Sequence, residues 1–363
     1  MPLLPQSNRK NTFDLQIKID GILIDSWSEL TYVAKVNSAR AISFIAHGHV
    51  PQEALQLGSI IEVKAGIGIH APTTDLLYFK GIIKTLRPSF DKVGITAVDY
   101  ITHLATSEYI NYKIEDSHGH DLYYLAANAA DYKDIDISGL TAGASIIANK
   151  DTINSQLTGL MTRKEFIDSC FNNMTVSKRT ADYPANTFLK WKYAIRSGTV
   201  LDFFLPDAAD TTATPVFTFN KDNNNISQSM VGSVDTTKIV NSATFVSSSD
   251  KSIFETYTDT SSVNTFGVSS RLITFDTTRR DRLEQLAYQY VEQNKFPTIS
   301  YTIQINTLET INLGDIVKIE VPSLERSDIL PVEEYSLFLG EGIKATYTLG
   351  EKRLTTNQIL NLK

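Results

Sequence analysis

The run SHGHD, Ser117 to Asp121, gathers the chain's densest set of chemically capable side chains: His118, His120 and Asp121. Two histidines at i and i+2 share a metal only from an extended segment, and a third ligand must then come from elsewhere. No partner cluster with metal-ligand spacing follows, so the run reads as a polar turn with His120 or Asp121 near a helix N-cap. His47 and His49 flank Gly48 in AHGHV, a turn at a strand edge, while His70 and His103 stand alone. KDNNN, Lys221 to Asn225, carries the oxygens of a calcium loop without its glycine or terminal glutamate, which makes a hairpin turn the better reading. There is no nucleophile elbow, phosphate-cradling glycine loop, H-E-x-x-H or Cys/His pair. AGIGIH lacks the spacing and the following helix of a dinucleotide loop. Carboxylates are plentiful, but nothing in their order pairs two of them for glycoside hydrolysis. Trp27 and Trp191 are conceivable sugar platforms, with core or interface packing as the default. No catalytic, cofactor-binding or metal residue is assigned, no cofactor is expected, and the expectation is a protein that is not an enzyme.

Composition agrees with a binding or structural role. The 363 residues are 42% hydrophobic and 21% charged, enough apolar material for more than one core. Lys and Arg total 34 against 41 Asp and Glu, a net charge of −7, and no segment is strongly basic. A nucleic-acid binder needs a basic footprint to displace counterions, so stable nucleic-acid binding is not expected. A lone cysteine, Cys170, makes no internal disulfide. The start, MPLLPQSNRKNTFD, lacks a signal peptide's apolar core, and no run approaches the ~20 apolar residues of a membrane helix. The expectation is a soluble protein folded in a cytoplasm, without a membrane partner.

The elements around these residues fall into alternating regions. From Thr12 to Asp99 the pattern has period two, as in FDLQIKIDGILI, with Phe13, Leu15, Ile17 and Ile19 on one face and Asp20-Gly21 as a turn. AISFIAHGHV, SIIEVKAGIGI, LLYFKGIIKTLRPS and KVGITAVDY follow at short spacing, as in a small barrel or sandwich. After Asp99 the period changes. DYITHLATS reads as a short closing helix, and HDLYYLAANAADY puts Leu122, Leu125, Ala126 and Ala129 on one helical face. In TRKEFIDSCFNNM, Thr162 and Glu165 form a capping-box pattern ahead of Phe166, Ile167, Cys170, Phe171 and Met174. NTFLKWKYA and TVLDFFL close this part as strands. Beyond a small-residue linker, VFTFNKDNNN and TKIVNSATFVSSS are strand-like, and the Ser/Thr-rich stretch from Ser247 to Ser270 reads as an exposed excursion. A helix follows with Leu283, Leu286, Ala287, Tyr290 and Val291 on one face, ended by Phe296-Pro297. TISYTIQIN, NLGDIVKIEV and GIKATYTLGEK return to strands.

The two β regions share punctuation. AISFIAHGHV leads through PQEALQ to LGSIIEV, and TISYTIQIN leads through TLETIN to LGDIVKIEV. A Leu-Gly turn before a strand is common, because glycine supplies a positive φ. Matched together with the strand before it, the echo favours a duplicated barrel, with Gly58 and Gly314 at equivalent places.

In that order of elements the chain resembles the baseplate hub proteins of tailed bacteriophages, the late control protein D-like hubs of contractile tails and injection systems. The residues that carry the likeness are FKGIIKTLRPSFDKVGITAVDYITHL with the α/β insertion behind it, KIVNSATFV, and RRDRLEQLAYQYVEQ running into FPTISYTIQI and LGDIVKIEV. The likeness spans roughly residues 12–350 as a pattern of elements. It implies a mainly β fold with α+β insertions: two homologous tube-type β-barrel domains plus inserted α/β domains. The implied division is 1–105 for the first barrel, 106–205 for an α/β insertion, 206–240 with 296–350 for the second barrel, 241–295 for a further insertion, and 351–363 for a tail.

The resemblance also implies a homotrimer whose six quasi-equivalent barrels adapt a hexameric tail tube to a threefold spike. Its partners would be the tail tube protein, the spike protein, baseplate wedge proteins and the tape measure protein, in the virion baseplate after assembly in the host cytoplasm. Three copies would carry 3 × −7 = −21, suited to a channel along which DNA slides. The rival reading is a carbohydrate-binding or carbohydrate-degrading tail protein. The chain stops soon after the second barrel, which tilts the expectation towards a contractile or injection-type particle with a separate spike. Leu354, Ile359, Leu360 and Leu362 are expected to order the tail against a neighbour or against its own barrel's open end.

Overall fold

Alternating apolar side chains shape most of the chain into strands. The computed structural model describes residues 13–48, 55–67, 74–106, 109–113, 122–138, 140, 158–173, 191–196, 199–204, 215–220, 226–275, 278–307, 309, 311–321, 326–340 and 342–353. The mainly β expectation holds.

The first sheet unit comprises β1 (Phe13–Ile19), β2 (Ile22–Leu23), β3 (Trp27–Lys35), β4 (Ala41–His47), β5 (Ile60–Ile67), β6 (Thr74–Pro88) and β7 (Lys92–Asp99). Its strands pair in the order β3-β4-β7-β6-β5-β1, all antiparallel, with β2 folded back on β1. Because side chains alternate faces along each strand, Ile17, Ile19, Leu30, Tyr32, Ile42, Phe44, Ile61, Val63, Phe79 and Ile95 all reach one interior.

Next come α1 (Thr102–Ala105), β8 (Ile110–Lys113), α2 (Leu122–Ala130), β9 (Thr158–Met161), α3 (Arg163–Asn173), β10 (Lys192–Ile195) and β11 (Leu201–Phe204). The capping box forms as read. Glu165 Oε2 accepts from the Thr162 N–H at 2.7 Å, and the Glu165 N–H donates back to Thr162 Oγ1 at 3.2 Å. Phe166, Ile167, Cys170 and Phe171 of α3 pack with Trp191, Tyr193 and Phe203. Trp191 is therefore a core residue, its ring centroid 6.3 Å from that of Phe171. Burial pushes the Cys170 thiol up to about 12, leaving no thiolate for chemistry at neutral pH.

The second sheet unit is interrupted. It comprises β12 (Phe217–Phe219), β13 (Ile226–Asp235), β17 (Thr298–Ile305), β18 (Ile316–Val321), β19 (Arg326–Leu339) and β20 (Ile343–Arg353). The intervening part holds β14 (Ser242–Ser247), β15 (Phe254–Thr258), α4 (Thr260–Phe266), β16 (Ser270–Phe275) and α5 (Arg280–Asn294). Leu283, Leu286, Ala287 and Val291 of α5 cover Ala243 and Phe245 of β14, so the helical face read from the sequence is the buried one.

The Ser/Thr-rich stretch corrects the sequence reading. It is exposed, but it is no excursion: β15 pairs with β14, and Asp259 caps α4 by accepting from the Ser262 N–H at 2.8 Å. Hydroxyl pairs across the strands, Thr244 with Thr256 at 2.8 Å and Ser242 with Thr258 at 2.9 Å, take the place of apolar contacts there.

The two units are not separate. β19 pairs with β3, so one 13-stranded sheet passes through both, and their side chains form a single core. Among the described residues neither unit closes on itself by hydrogen bonds.

Candidate assembly interface

Five described strands of each unit correspond in order. β13-β17-β20-β19-β18 repeats the antiparallel order β3-β4-β7-β6-β5, and the units differ beyond it: β12 lies parallel to β18 where β1 lies antiparallel to β5, and β2 has no counterpart among the described strands. The correspondence reaches single residues. The Gly58 N–H donates to Ile83 O at 2.9 Å and the Ile83 N–H to Ser59 O at 2.9 Å; the Gly314 N–H donates to Val332 O at 2.8 Å and the Val332 N–H to Asp315 O at 3.0 Å. Both glycines have positive φ, 92° and 78°, which their turns require. One residue after Ile83 the β6–β7 register shifts, and one residue after Val332 the β19–β20 register shifts likewise. Even the bulge is duplicated.

Beyond its bulge β19 outruns β18, and the overhang meets β3. Glu334 lies opposite Lys35, Tyr335 opposite Ala34, Ser336 opposite Val33 and Leu337 opposite Tyr32. Tyr32 and Tyr335 pack inside the joint as tilted rings with centroids 5.8 Å apart, and outside it Lys35 Nζ sits 3.4 Å from Glu334 Oε2. An overhang of this kind is a strand edge that must be paired or protected.

The hairpin of β10 and β11 locks the corner beside the joint. The Asn37 N–H donates to Tyr193 O at 2.7 Å, and the Tyr193 N–H donates to Asn37 Oδ1 at 2.8 Å. Asn37 holds φ at 57°, a left-handed conformation that asparagine tolerates. Lys192 pairs with Glu333 at the bulge. Arg196 donates to Leu313 O at 2.8 Å and Asp315 Oδ1 at 2.7 Å, and its guanidinium carbon lies 5.1 Å from the Phe204 ring centroid. Phe204 lies on Gly314 so closely that a Cβ there would sit 2.3 Å from the ring. Leu313 is thereby 3% exposed, whereas its counterpart Leu57 is 68% exposed, and Ile22, Leu23 and Ile60 of the first unit are exposed as well.

A second lock lies inside the first unit. Arg40 Nε donates to Asp99 Oδ2 at 2.9 Å, both groups fully enclosed, while Arg40 also bonds Tyr78 O and lies over the Phe79 ring. Burial pushes the Asp99 carboxyl up, and the Arg40 guanidinium works against it.

The residues singled out for chemistry do not converge. His47 Nε2 is 2.7 Å from Ser28 Oγ, a strand-to-strand contact. His103 stacks on Tyr100, and burial with Lys133 and Lys84 nearby lowers its pKa. His49, His70, the SHGHD run, KDNNN and Leu354 to Lys363 lie outside the described residues. Among the described residues no group of three His, Cys, Asp or Glu side chains could hold a metal, and no helix is long and apolar enough to cross a membrane. The joint itself escaped the sequence reading. Its one linear signal is length: β6 and β19, at 15 and 14 residues, outrun the strands before them.

No family model and no curated protein sequence matches the chain. Solved structures do. A tail protein from Neisseria meningitidis MC58 superposes with a TM-score of 0.62 at 13% identity, over 94% of this chain and 96% of its own. The 43 kDa tail protein of prophage MuSo2 from Shewanella oneidensis gives 0.60 at 11% identity, over 93% and 98%. The prophage tail protein gp18 from Listeria monocytogenes EGD-e gives 0.52 at 12% identity, over 96% and 98%. The chain has the fold of phage tail proteins over nearly its whole length.

Proposed function

We propose that the chain is a structural hub of a phage-type tail baseplate, three copies forming a ring of six quasi-equivalent sheet units. One observation carries this reading: a single sheet unit occurs twice, down to its turn and bulge hydrogen bonds, and the two are joined edge to edge. A closed assembly must satisfy its own symmetry. Two like units in each of three chains present six equivalent contacts to a hexameric tail tube and three to a spike. The proposed division follows the sequence: units at 1–105 and at 206–240 with 296–350, insertions at 106–205 and 241–295 as attachment surfaces for wedge proteins, and a tail at 351–363. Tail tube, spike and tape measure proteins are the proposed axial partners, and the virion is the proposed location. An acidic ring wall lets DNA pass without holding it, because tight phosphate binding needs clustered cations. The fold likeness to tail proteins supports the setting.

Light scattering on the purified chain tests the reading. Three times the chain mass, with a six-lobed ring in electron micrographs, is the expected result. A stable monomer that degrades glycans would replace the hub with the carbohydrate-active alternative.

A further inference from the structure

We infer that β6 of one copy pairs antiparallel with β13 of the next, in a register set by the joint already made inside the chain. This rests on the ring proposed above and names its contact. β19 and β3 are mated within the chain, while their counterparts β6 and β13 each keep an edge without a strand partner among the described residues. β13 ends the sheet path, pairing with β17 alone, and β6 beyond Ile83 pairs only with β7. A ring of like units needs one joint per boundary, so the two vacant edges are the two halves of the missing one.

The register follows from equivalence. Tyr32 lies opposite Ile42 as Gly232 lies opposite Tyr301, and Tyr335 lies opposite Tyr347 as Leu86 lies opposite Ile95. Carrying the β19–β3 pairs across places Thr85 opposite Asp235 of the next copy, Leu86 opposite Val234, Arg87 opposite Ser233 and Pro88 opposite Gly232. The chemistry suits this alignment. The Ser89 N–H donates to Lys92 O at 2.8 Å, facing Ser89 towards β7, so alternation turns Leu86 and Pro88 to the open edge. Leu86 then exchanges both backbone bonds with Val234, and Pro88, which has no N–H, accepts from Gly232. Val234 is 45% exposed in the isolated chain where its counterpart Ala34 is 2% exposed, and half-buried Leu86 supplies the missing cover. On the outer face Arg87 lies diagonal to Asp235, within reach for a long side chain, in the place of the Lys35–Glu334 pair.

Paired cysteines test the register in the full chain. Arg87 and Ser233 form a narrow, non-hydrogen-bonded pair, the geometry a cross-strand disulfide needs, and buried Cys170 does not compete. The variant Arg87→Cys with Ser233→Cys is expected to give disulfide-linked dimers and trimers on mild oxidation. Arg87→Cys with Val231→Cys, slipped by two residues, is expected to give none. A trimer by light scattering without in-register crosslinking overturns this joint and leaves the hub standing. Crosslinked chains longer than three copies keep the joint and overturn the closed hub; a monomer at every concentration overturns both. As a second measurement, Arg87→Glu is expected to weaken assembly about tenfold, and adding Asp235→Arg is expected to restore it. Loss without restoration speaks against the register.

Discussion

Leu57-Gly58 and Leu313-Gly314 are the same turn in two settings. Both make the same backbone hydrogen bonds, yet the second lies under Phe204 and Arg196 while no described residue covers the first. The strand edges divide in the same way: β19 and β3 are mated, and β6 and β13 have no partner on one edge among the described residues. The two units share the local geometry, and the segment between them makes the difference: the hairpin of β10 and β11, after β7, covers the turn of the second unit. In the proposed ring, the repeated unit inside one chain already makes one of the two kinds of joint. Its filled contacts describe what its empty ones accept.

Three pairs of substitutions and one titration can break or sharpen that comparison. The largest effect is expected at the charge lock of the first unit. Asp99→Ala leaves Arg40 enclosed without its carboxylate, at a cost of about 3–5 kcal/mol in denaturant unfolding. Tyr301, whose hydroxyl donates to buried Asp328 at 2.8 Å in the second unit, should cost about 1–3 kcal/mol as Tyr301→Phe. If the first change is the milder one, Arg40 has other support and the units are closer in stability than their contacts indicate.

The turns come next. Gly314→Ala meets both a left-handed backbone and the Phe204 ring, for about 3 kcal/mol in all. Gly58→Ala has open space around it, so only the backbone strain of roughly 1 kcal/mol remains. Equal losses would mean that Phe204 moves aside freely. Leu313→Ala is expected to cost about 2–3 kcal/mol, against less than about 0.5 kcal/mol for Leu57→Ala measured on the dissociated chain. A large loss at Leu57 would show that its turn is already covered.

The smallest effect concerns acid. Burial acts to raise the Asp259 carboxyl, but hydrogen bonds from the Ser262 N–H and Lys295 outweigh it and hold the pKa below its usual value. A depressed carboxyl contributes stability that is complete above its unfolded pKa, about 3.9, and is lost as pH falls through the lower folded value. The insertion around α4 is therefore expected to loosen below about pH 4. Amide exchange in α4 should quicken there in the natural chain. Asp259→Ala, which removes both the cap acceptor and the Lys295 partner, should show fast exchange at neutral pH and little further change on acidification.

Much of the local structure was legible in the residue order. Period-two patterning marked β1, β4, β5, β6, β7, β17, β18 and β20, though it singled out none of β3, β13 and β19; the Thr162–Glu165 box marked α3, and the spacing from Leu283 to Val291 marked the face of α5, because these signals act over a few residues. The Leu-Gly echo was legible for the same reason: a positive φ before a strand leaves glycine in the sequence. β15 and α4 were missed, since hydroxyl pairs and a side-chain cap hold them where an apolar stripe would have announced itself. Which Leu-Gly turn is covered, which overhanging strand is mated, and that Arg196 meets Asp315 while Lys192 meets Glu333 were decided only by the tertiary structure. Those contacts join residues more than a hundred positions apart, and nothing local distinguishes a strand edge with a partner from one without.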